Sequence, residues 1–159
     1  MKLVDKDLGF AKLIANYLEM GRLDVQVGIA DEFVAIRASV HEFGEKRWHE
    51  TGKGNPPRSW LRSALRLGER NLAEELARAL GLVVDGKLEP VAAMRRVGKA
   101  AIRIVRERIQ DADNWARPLT AAYAARKQGP GILRESLEMI DALTYRITRG
   151  GDVIEEGKA

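Results

Sequence analysis

The sequence predicts an α+β fold in which a small antiparallel sheet is packed by two long helices within a single domain, residues 1–159. Residues 23–29 and 142–148 alternate apolar with polar or small side chains, a pattern typical of half-buried strands. Residues 60–80 and 90–110 instead repeat apolar side chains at three- and four-residue spacing, as amphipathic helices do. A chain of 159 residues is long enough to bury a core of its own.

The first elements in chain order are a helix and a strand. Apolar residues recur at helical spacing over residues 6–20, and Gly21 predicts the end of this helix. Residues 23–29 form the first strand. We expect a second, short strand over residues 33–37, which pairs with the first as a hairpin across residues 30–32.

Residues 38–43 are predicted to form a helical turn that ends at Gly44. The first long helix should run from Trp60 to Leu80 and end at Gly81, and the second should start after Pro90 and reach about Gln110. The side chains expected to pack between the two long helices are Leu65, Leu72 and Leu76 on the first and Met94, Val97 and Ile104 on the second.

The C-terminal part is predicted to hold a short helix over residues 119–127 and a helical segment over residues 133–139. The strand over residues 142–148 should pair with the early strand or strands and complete the sheet. We expect the residues after Gly150 to form a frayed tail.

The segment from His41 to Arg62 is the most informative part of the chain. It contains a polar, glycine-containing stretch, residues 45–55, held between two ordered elements, which favours a role in contacts over one in packing. Trp48 is the one large apolar residue of that stretch and is predicted to anchor an interface. The candidate contact residues of this region are Glu45, Lys46, Arg47, Trp48, His49 and Arg58.

A basic stripe on the second long helix supplies the other candidate contact residues. Its members are Arg95, Lys99, Arg103 and Arg106, spaced so that they share one helix face. The stripe could follow a nucleic-acid backbone, since arginine binds phosphate with two hydrogen bonds. Alternatively, it could pair with acidic residues of the preceding helix, of which Glu69, Glu74 and Glu75 are the candidates, or with another copy of the chain.

Composition limits the classes of function that remain. The net charge of +4 is mildly basic, less than expected for a dedicated nucleic-acid-binding protein. Cysteine is absent from the sequence, which excludes disulfides and thiol catalysis. No signal-peptide pattern and no apolar run of about 20 residues is present, so we expect a soluble protein that matures in the cytoplasm, without a membrane partner.

Neither histidine has the setting of a catalytic or metal site. His41 and His49 are each followed by glutamate, but they lie eight residues apart and lack the HExxH spacing of zinc proteases. Residues 51–54, TGKG, lack the spacing and the strand-to-helix setting of a phosphate-binding loop. We therefore expect no enzymatic activity, no metal and no cofactor.

The order of several short motifs resembles a known family. Val27-Gly28, Val34-Ala35, HEFG at residues 41–44, PPR at 56–58 and WLR at 60–62 follow one another as in tail-component proteins of long-tailed bacteriophages, the minor-tail and head–tail joining group. The second half continues the resemblance, which covers residues 24–149. Its matching residues are Trp115, Leu119-Thr120, Arg126-Lys127, Ile132-Leu133 with Ser136, and Leu143-Thr-Tyr-Arg-Ile147.

The resemblance implies a structural protein of the virion, assembled in the host bacterial cytoplasm. Such proteins join or complete the tail as rings or other homo-oligomers, in contact with other virion proteins of the tail or neck. Non-specific contact with DNA is compatible with that position. The alternative function, suggested by the basic stripe, is a monomeric DNA-binding or regulatory module.

Overall fold

The computed structural model describes residues 9–129, 131–134 and 137–159. The chain has an α+β fold, in which the longest helix lies between a three-stranded sheet and a layer of shorter helices. No helix in these ranges is long and apolar enough to cross a membrane. The elements are α1 (Phe10–Met20), β1 (Leu23–Ile29), α2 (Glu32–Phe43), α3 (Lys46–Thr51), α4 (Leu61–Leu67), α5 (Glu69–Val84), α6 (Pro90–Gln110), α7 (Ala112–Trp115), α8 (Ala121–Ala124), α9 (Glu138–Asp141), β2 (Leu143–Arg149) and β3 (Asp152–Gly157).

Helix α6 forms the centre of the core because it is buried on several sides. It packs against β1 and β2 on one side and against α4 and α5 on the other. Pro90 occupies its first turn, where the missing amide hydrogen costs nothing. At Gly98 the helix meets the sheet closely, since a Cβ at this position would lie 2.7 Å from the ring of Tyr145. The predicted bounds of this helix are confirmed.

The sheet has the strand order β1-β2-β3 and is antiparallel throughout. Strand β2 pairs with β1 from Leu23 opposite Arg149 to Ile29 opposite Leu143, as predicted. Leu143, Tyr145 and Ile147 of β2 are buried and belong to the same core as α6. Of the two predicted strands, β2 therefore forms the centre of the sheet and β1 one of its edges.

The predicted strand over residues 33–37 is wrong, because this segment belongs to helix α2. The side chain of Asp31 caps the helix by accepting a hydrogen bond from the Val34 amide at 2.9 Å. The helix then continues without a break to Phe43 and ends at Gly44, the predicted end of the helical turn. The capping aspartate outweighs the β propensity of Phe33, Val34 and Ile36.

The first long helix is divided at Gly68 and extends beyond its predicted end. Gly68 separates α4 from α5, and a Cβ there would lie 2.7 Å from Cγ2 of Ile104 on α6. Glycine thus permits the close approach of the two helices and weakens the helix at the same point. The predicted end at Gly81 is also wrong, since α5 runs on to Val84.

The predicted frayed tail is an ordered strand, β3. Gly150 and Gly151 have φ of 59° and 97°, the positive values required at both central positions of a type I′ hairpin turn. They connect β2 directly to β3, with Arg149 opposite Asp152. The Gly-Gly pair was the sequence signal for this hairpin.

The remaining predictions are confirmed in part. A short helix, α8, does lie within residues 119–127, and the Thr120 side chain accepts a hydrogen bond from the Tyr123 amide at its start. Of the predicted helical segment over 133–139, the described residues are helical only from Glu138, and residues 135 and 136 lie outside the described ranges. Leu76, expected in the core, is exposed on α5.

Truncating Ile102, which is fully buried at the centre of α6, should destabilise the fold strongly. We expect Ile102→Ala to lower the free energy of unfolding by about 2–5 kcal/mol, the usual result of removing a buried aliphatic side chain. Leu76→Ala, at a side chain that is 40% exposed, is the matched control and should change it by about 1 kcal/mol or less. Urea titration of both variants measures the difference, and equal losses would contradict the central position of α6.

Candidate assembly surface and the lock that supports it

The HEFG and PPRSWLR motifs form one interlocked structure centred on Glu42. The carboxylate of Glu42, only 3% exposed, accepts hydrogen bonds from the Ser59 hydroxyl at 2.7 Å and from the Leu61 amide at 2.9 Å. It also accepts from Arg62, through the amide at 3.2 Å and through Nε at 2.8 Å. The end of α2 thereby satisfies the free amides at the start of α4, which has no cap from its own side chains.

These hydrogen bonds set the ionisation of Glu42. Burial alone would raise the pKa of its carboxyl group, but the hydrogen bonds from Arg62, Ser59 and the amides of Leu61 and Arg62 outweigh burial and hold the pKa below its ordinary value. The side chain is therefore a stable buried carboxylate. We call the contacts of Glu42 with residues 59–62 the Glu42 lock.

Further contacts hold the same two segments together. The indole Nε1 of Trp60 donates to the Ala38 carbonyl at 3.1 Å, and the side chain of Trp60 is buried. Gly44 has φ of 80°, and a Cβ there would lie 2.9 Å from Pro57, so any larger residue would push the segments apart.

Residues 45–55, which we call the arm, form a closed projection and not a simple loop. Residues 46–51 form the short helix α3, and Glu45 and Asn55 close the base of the arm. The Asn55 side-chain amide donates to Glu45 Oε1 at 2.6 Å, and the Glu45 amide donates to the Asn55 carbonyl at 3.1 Å. Most residues of the arm are exposed.

The predicted contact residues of the arm have different roles. Glu45 closes its base, and His49 Nε2 donates to the Phe43 carbonyl at 2.8 Å, so both also hold the arm in place. Lys46 and Arg47 are exposed. Trp48 is half-buried, with the guanidinium of Arg117 over its ring, 4.4 Å from the centroid.

Arg58 is buried and thus cannot make the surface contact predicted for it. It is 5% exposed, its amide donates to the His41 carbonyl at 2.7 Å, and its Nε donates to the Arg117 carbonyl at 3.2 Å. Burial lowers the pKa of its guanidinium, an effect that Tyr123 opposes and that Arg117 reinforces. Its position in the Pro-Pro-Arg segment brings it inside the fold, facing a cleft.

Two residues of the basic stripe form contacts with other groups of the same chain. Arg95 forms a bidentate ion pair with Glu155 of β3, with hydrogen bonds of 2.7 and 2.6 Å. This pair raises the pKa of Arg95 and lowers the pKa of Glu155. Arg106 donates to the Ala159 carbonyl at 3.0 Å. Lys99 and Arg103 are exposed and form no salt bridge with a described carboxylate.

The predicted pairing of α6 with acidic residues of the preceding helix occurs at a neighbouring position. Arg96 donates to Glu75 at 3.0 Å, whereas Glu74 pairs with Arg70 on its own helix. Arg103 lines a shallow depression with Glu74 and Glu107, so the middle of the stripe lies among carboxylates.

Two exposed apolar surfaces were missed by the sequence analysis. Phe33, Ile36 and Phe43, between 55% and 78% exposed, share one face of α2, and we call them the α2 stripe. Ile14, Tyr17 and Leu18, between 42% and 59% exposed, form the α1 stripe. The i, i+3, i+10 spacing would have revealed the α2 stripe if residues 33–37 had been predicted as a helix.

The two stripes belong to different parts of the fold. Helix α1 packs on α5 and α6, whereas α2 packs on β1 and α9. Exposed apolar side chains that share one helix face are candidates for a contact surface.

The described residues contain no group of three or more histidine and carboxylate side chains placed to bind a metal ion. Sequence and structure comparisons add no identification: no protein-family model, no curated protein and no solved structure matches this chain significantly.

The pH dependence of the stability of a Glu42 variant tests the Glu42 lock. Because the pKa of the folded state is lowered, the contribution of Glu42 to stability is fully present above the unfolded-state pKa of about 4.3 and is lost as pH falls through the folded-state value. We expect Glu42→Gln to reduce the free energy of unfolding by about 2 kcal/mol at pH 7, since charged hydrogen bonds are replaced by weaker ones. The difference from the wild type should shrink at pH 3, as measured by urea unfolding at both pH values.

Glu74→Gln provides the control, because Glu74 is an exposed carboxylate that pairs with Arg70 within one helix. It should leave stability within about 0.5 kcal/mol of the wild type at both pH values. A Glu42→Gln deficit that stays constant from pH 7 to pH 3 would show that the carboxylate charge is not what the lock uses.

Proposed function

We propose that this chain is a structural virion-assembly protein of a phage or prophage, which joins or completes the tail at the head–tail interface as an oligomer. The motif order over residues 24–149, which resembles tail-component proteins, supports this proposal. The Glu42 lock gives the resemblance a physical basis, because the motif residues hold one another and position the arm.

The observation that carries the proposal is the presence of two distinct exposed apolar stripes on one chain. A surface that meets a different surface of the next copy makes a head-to-tail contact, and repetition of such a contact closes a ring when the rotation permits. In this proposal, the α2 stripe of one copy packs against the α1 stripe of the next copy. Each stripe then buries apolar area that the isolated chain leaves in water.

The arm is the candidate contact with a second virion protein. Its base is closed by Glu45 and Asn55. Its outer residues include the exposed, charged side chains of Lys46 and Arg47. A preformed projection loses little conformational entropy on binding, which suits a contact that must form during particle assembly.

The alternative function is a monomeric DNA-binding or regulatory module that uses the basic stripe. Lys99 and Arg103 favour it, since both are exposed. However, Arg95 and Arg106 already bind groups of the same chain, and carboxylates lie beside Arg103. Two of the four stripe residues are thus already engaged within the chain, so we rank this function second.

A mixing experiment tests the head-to-tail contact. We expect the wild type to form oligomers, and Phe33→Gln with Ile36→Gln to abolish them by removing the α2 stripe. Tyr17→Gln with Leu18→Gln should do the same by removing the α1 stripe. A mixture of the two variants should form heterodimers, because one intact stripe of each kind remains, and light scattering after size exclusion measures the masses.

Leu67→Gln, at an exposed leucine outside both stripes, should leave the oligomer intact. A wild type that stays monomeric at micromolar concentration, or a mixture that yields no heterodimer, would contradict the head-to-tail contact. In a phage that carries the gene, the stripe variants should yield heads and tails that fail to join, seen by electron microscopy. Normal infectious particles would contradict the virion role.

A DNA-binding measurement distinguishes the assembly role from the alternative function. We expect the wild type to show little affinity for a DNA duplex near physiological salt, measured by fluorescence anisotropy. Binding through the stripe would weaken steeply with salt and would be lost in Lys99→Glu with Arg103→Glu, since each phosphate contact releases counterions. Tight, salt-dependent binding by a monomer would favour the alternative over the assembly role.

A further inference from the structure

A cleft of about 350 Å³ lies between α2, the Pro-Pro-Arg segment and the chain that follows α8. Its volume is in the range of small-ligand sites. Part of its wall is apolar, from side chains that include Leu119, Ile132 and Met139. The remaining wall is polar and contains three cationic side chains and one carboxylate.

The wall of the cleft carries more positive than negative charge. Arg37, Arg58 and Lys127 contribute positive charge, and among the described lining residues Glu138 is the one carboxylate. Glu138 is paired with Arg37 by a direct ion pair. Arg58 and Lys127 thus remain as positive charges without a carboxylate partner among the described lining residues.

Lys127 is the decisive residue. Its ammonium nitrogen is buried from solvent and donates to no hydrogen-bond acceptor among the described residues. A buried cation without an acceptor is costly, and such groups in folded proteins are normally paired. Arg58, which is 5% exposed, places a second buried cation on the same cleft.

We propose that this cleft binds an oxyanion head group, carboxylate or phosphate, carried on a short apolar body. The head group would accept hydrogen bonds from Lys127 and Arg58, and the body would contact the apolar wall formed by Leu119, Ile132 and Met139. The ligand neutralises charge that the fold buries without compensation. This site uses neither the α1 stripe nor the α2 stripe, and it shares Asn55 with the base of the arm.

Binding is tested on the full chain by calorimetry and thermal unfolding with defined probes. Sodium hexanoate supplies a carboxylate on an apolar body, 1-hexanol supplies the body alone, and sodium phosphate supplies the oxyanion alone, all at an ionic strength matched with sodium chloride. We expect hexanoate or phosphate, or both, to bind and to raise Tm, and hexanol to do neither. Response to hexanoate alone identifies organic carboxylates as the ligand, and response to phosphate alone identifies phosphate.

Lys127→Met tests the site within the protein. It removes the buried charge, so we expect Tm to rise in anion-free buffer and the affinity for the responsive anion to fall roughly tenfold or more. Lys99→Met makes the same change at an exposed position outside the cleft and should alter neither quantity. The proposal is overturned if neither anion binds the wild type, or if Lys127→Met binds the anion as the wild type does.

Discussion

The buried carboxylate of Glu42 is the interaction on which the rest of the candidate surface depends. It joins the C-terminal turn of α2 to the N-terminal turn of α4 through donors from Ser59, Leu61 and Arg62. The arm begins and ends within this connection, so its base is fixed by the same contacts. Glu42 therefore links the position of the α2 stripe to the position of the arm.

The sequence was most predictive where the periodicity was strong. Helix α6 and strands β1 and β2 lie where their apolar patterns placed them, because burial on a defined face determines both the pattern and the structure. The secondary-structure predictions were wrong where a single residue determined the local conformation. The cap by Asp31 converted a predicted strand to helix, and Gly68 divided a predicted helix at its closest approach to α6.

The site was only partly predictable from the sequence. The motifs around the arm were recognised, but the role of Glu42 depends on donors 17 to 20 positions away, and no periodic pattern reports such a contact. Arg58 was predicted to be a contact residue, whereas the fold buries it. The cleft combines side chains from α2, the Pro-Pro-Arg segment and the chain after α8, so its cationic wall arises only when these segments meet.

Strand β3 has a consequence for how copies of this chain can associate. The register between β2 and β3 shifts after Ile147, so Ile154 is an extra residue in the outer strand. Such a bulge twists the outer edge, and the exposed carboxylate of Asp152 adds negative charge to it. Both features discourage the addition of a strand from a neighbouring molecule. The β3 edge of the sheet is thus protected against fibril-like growth.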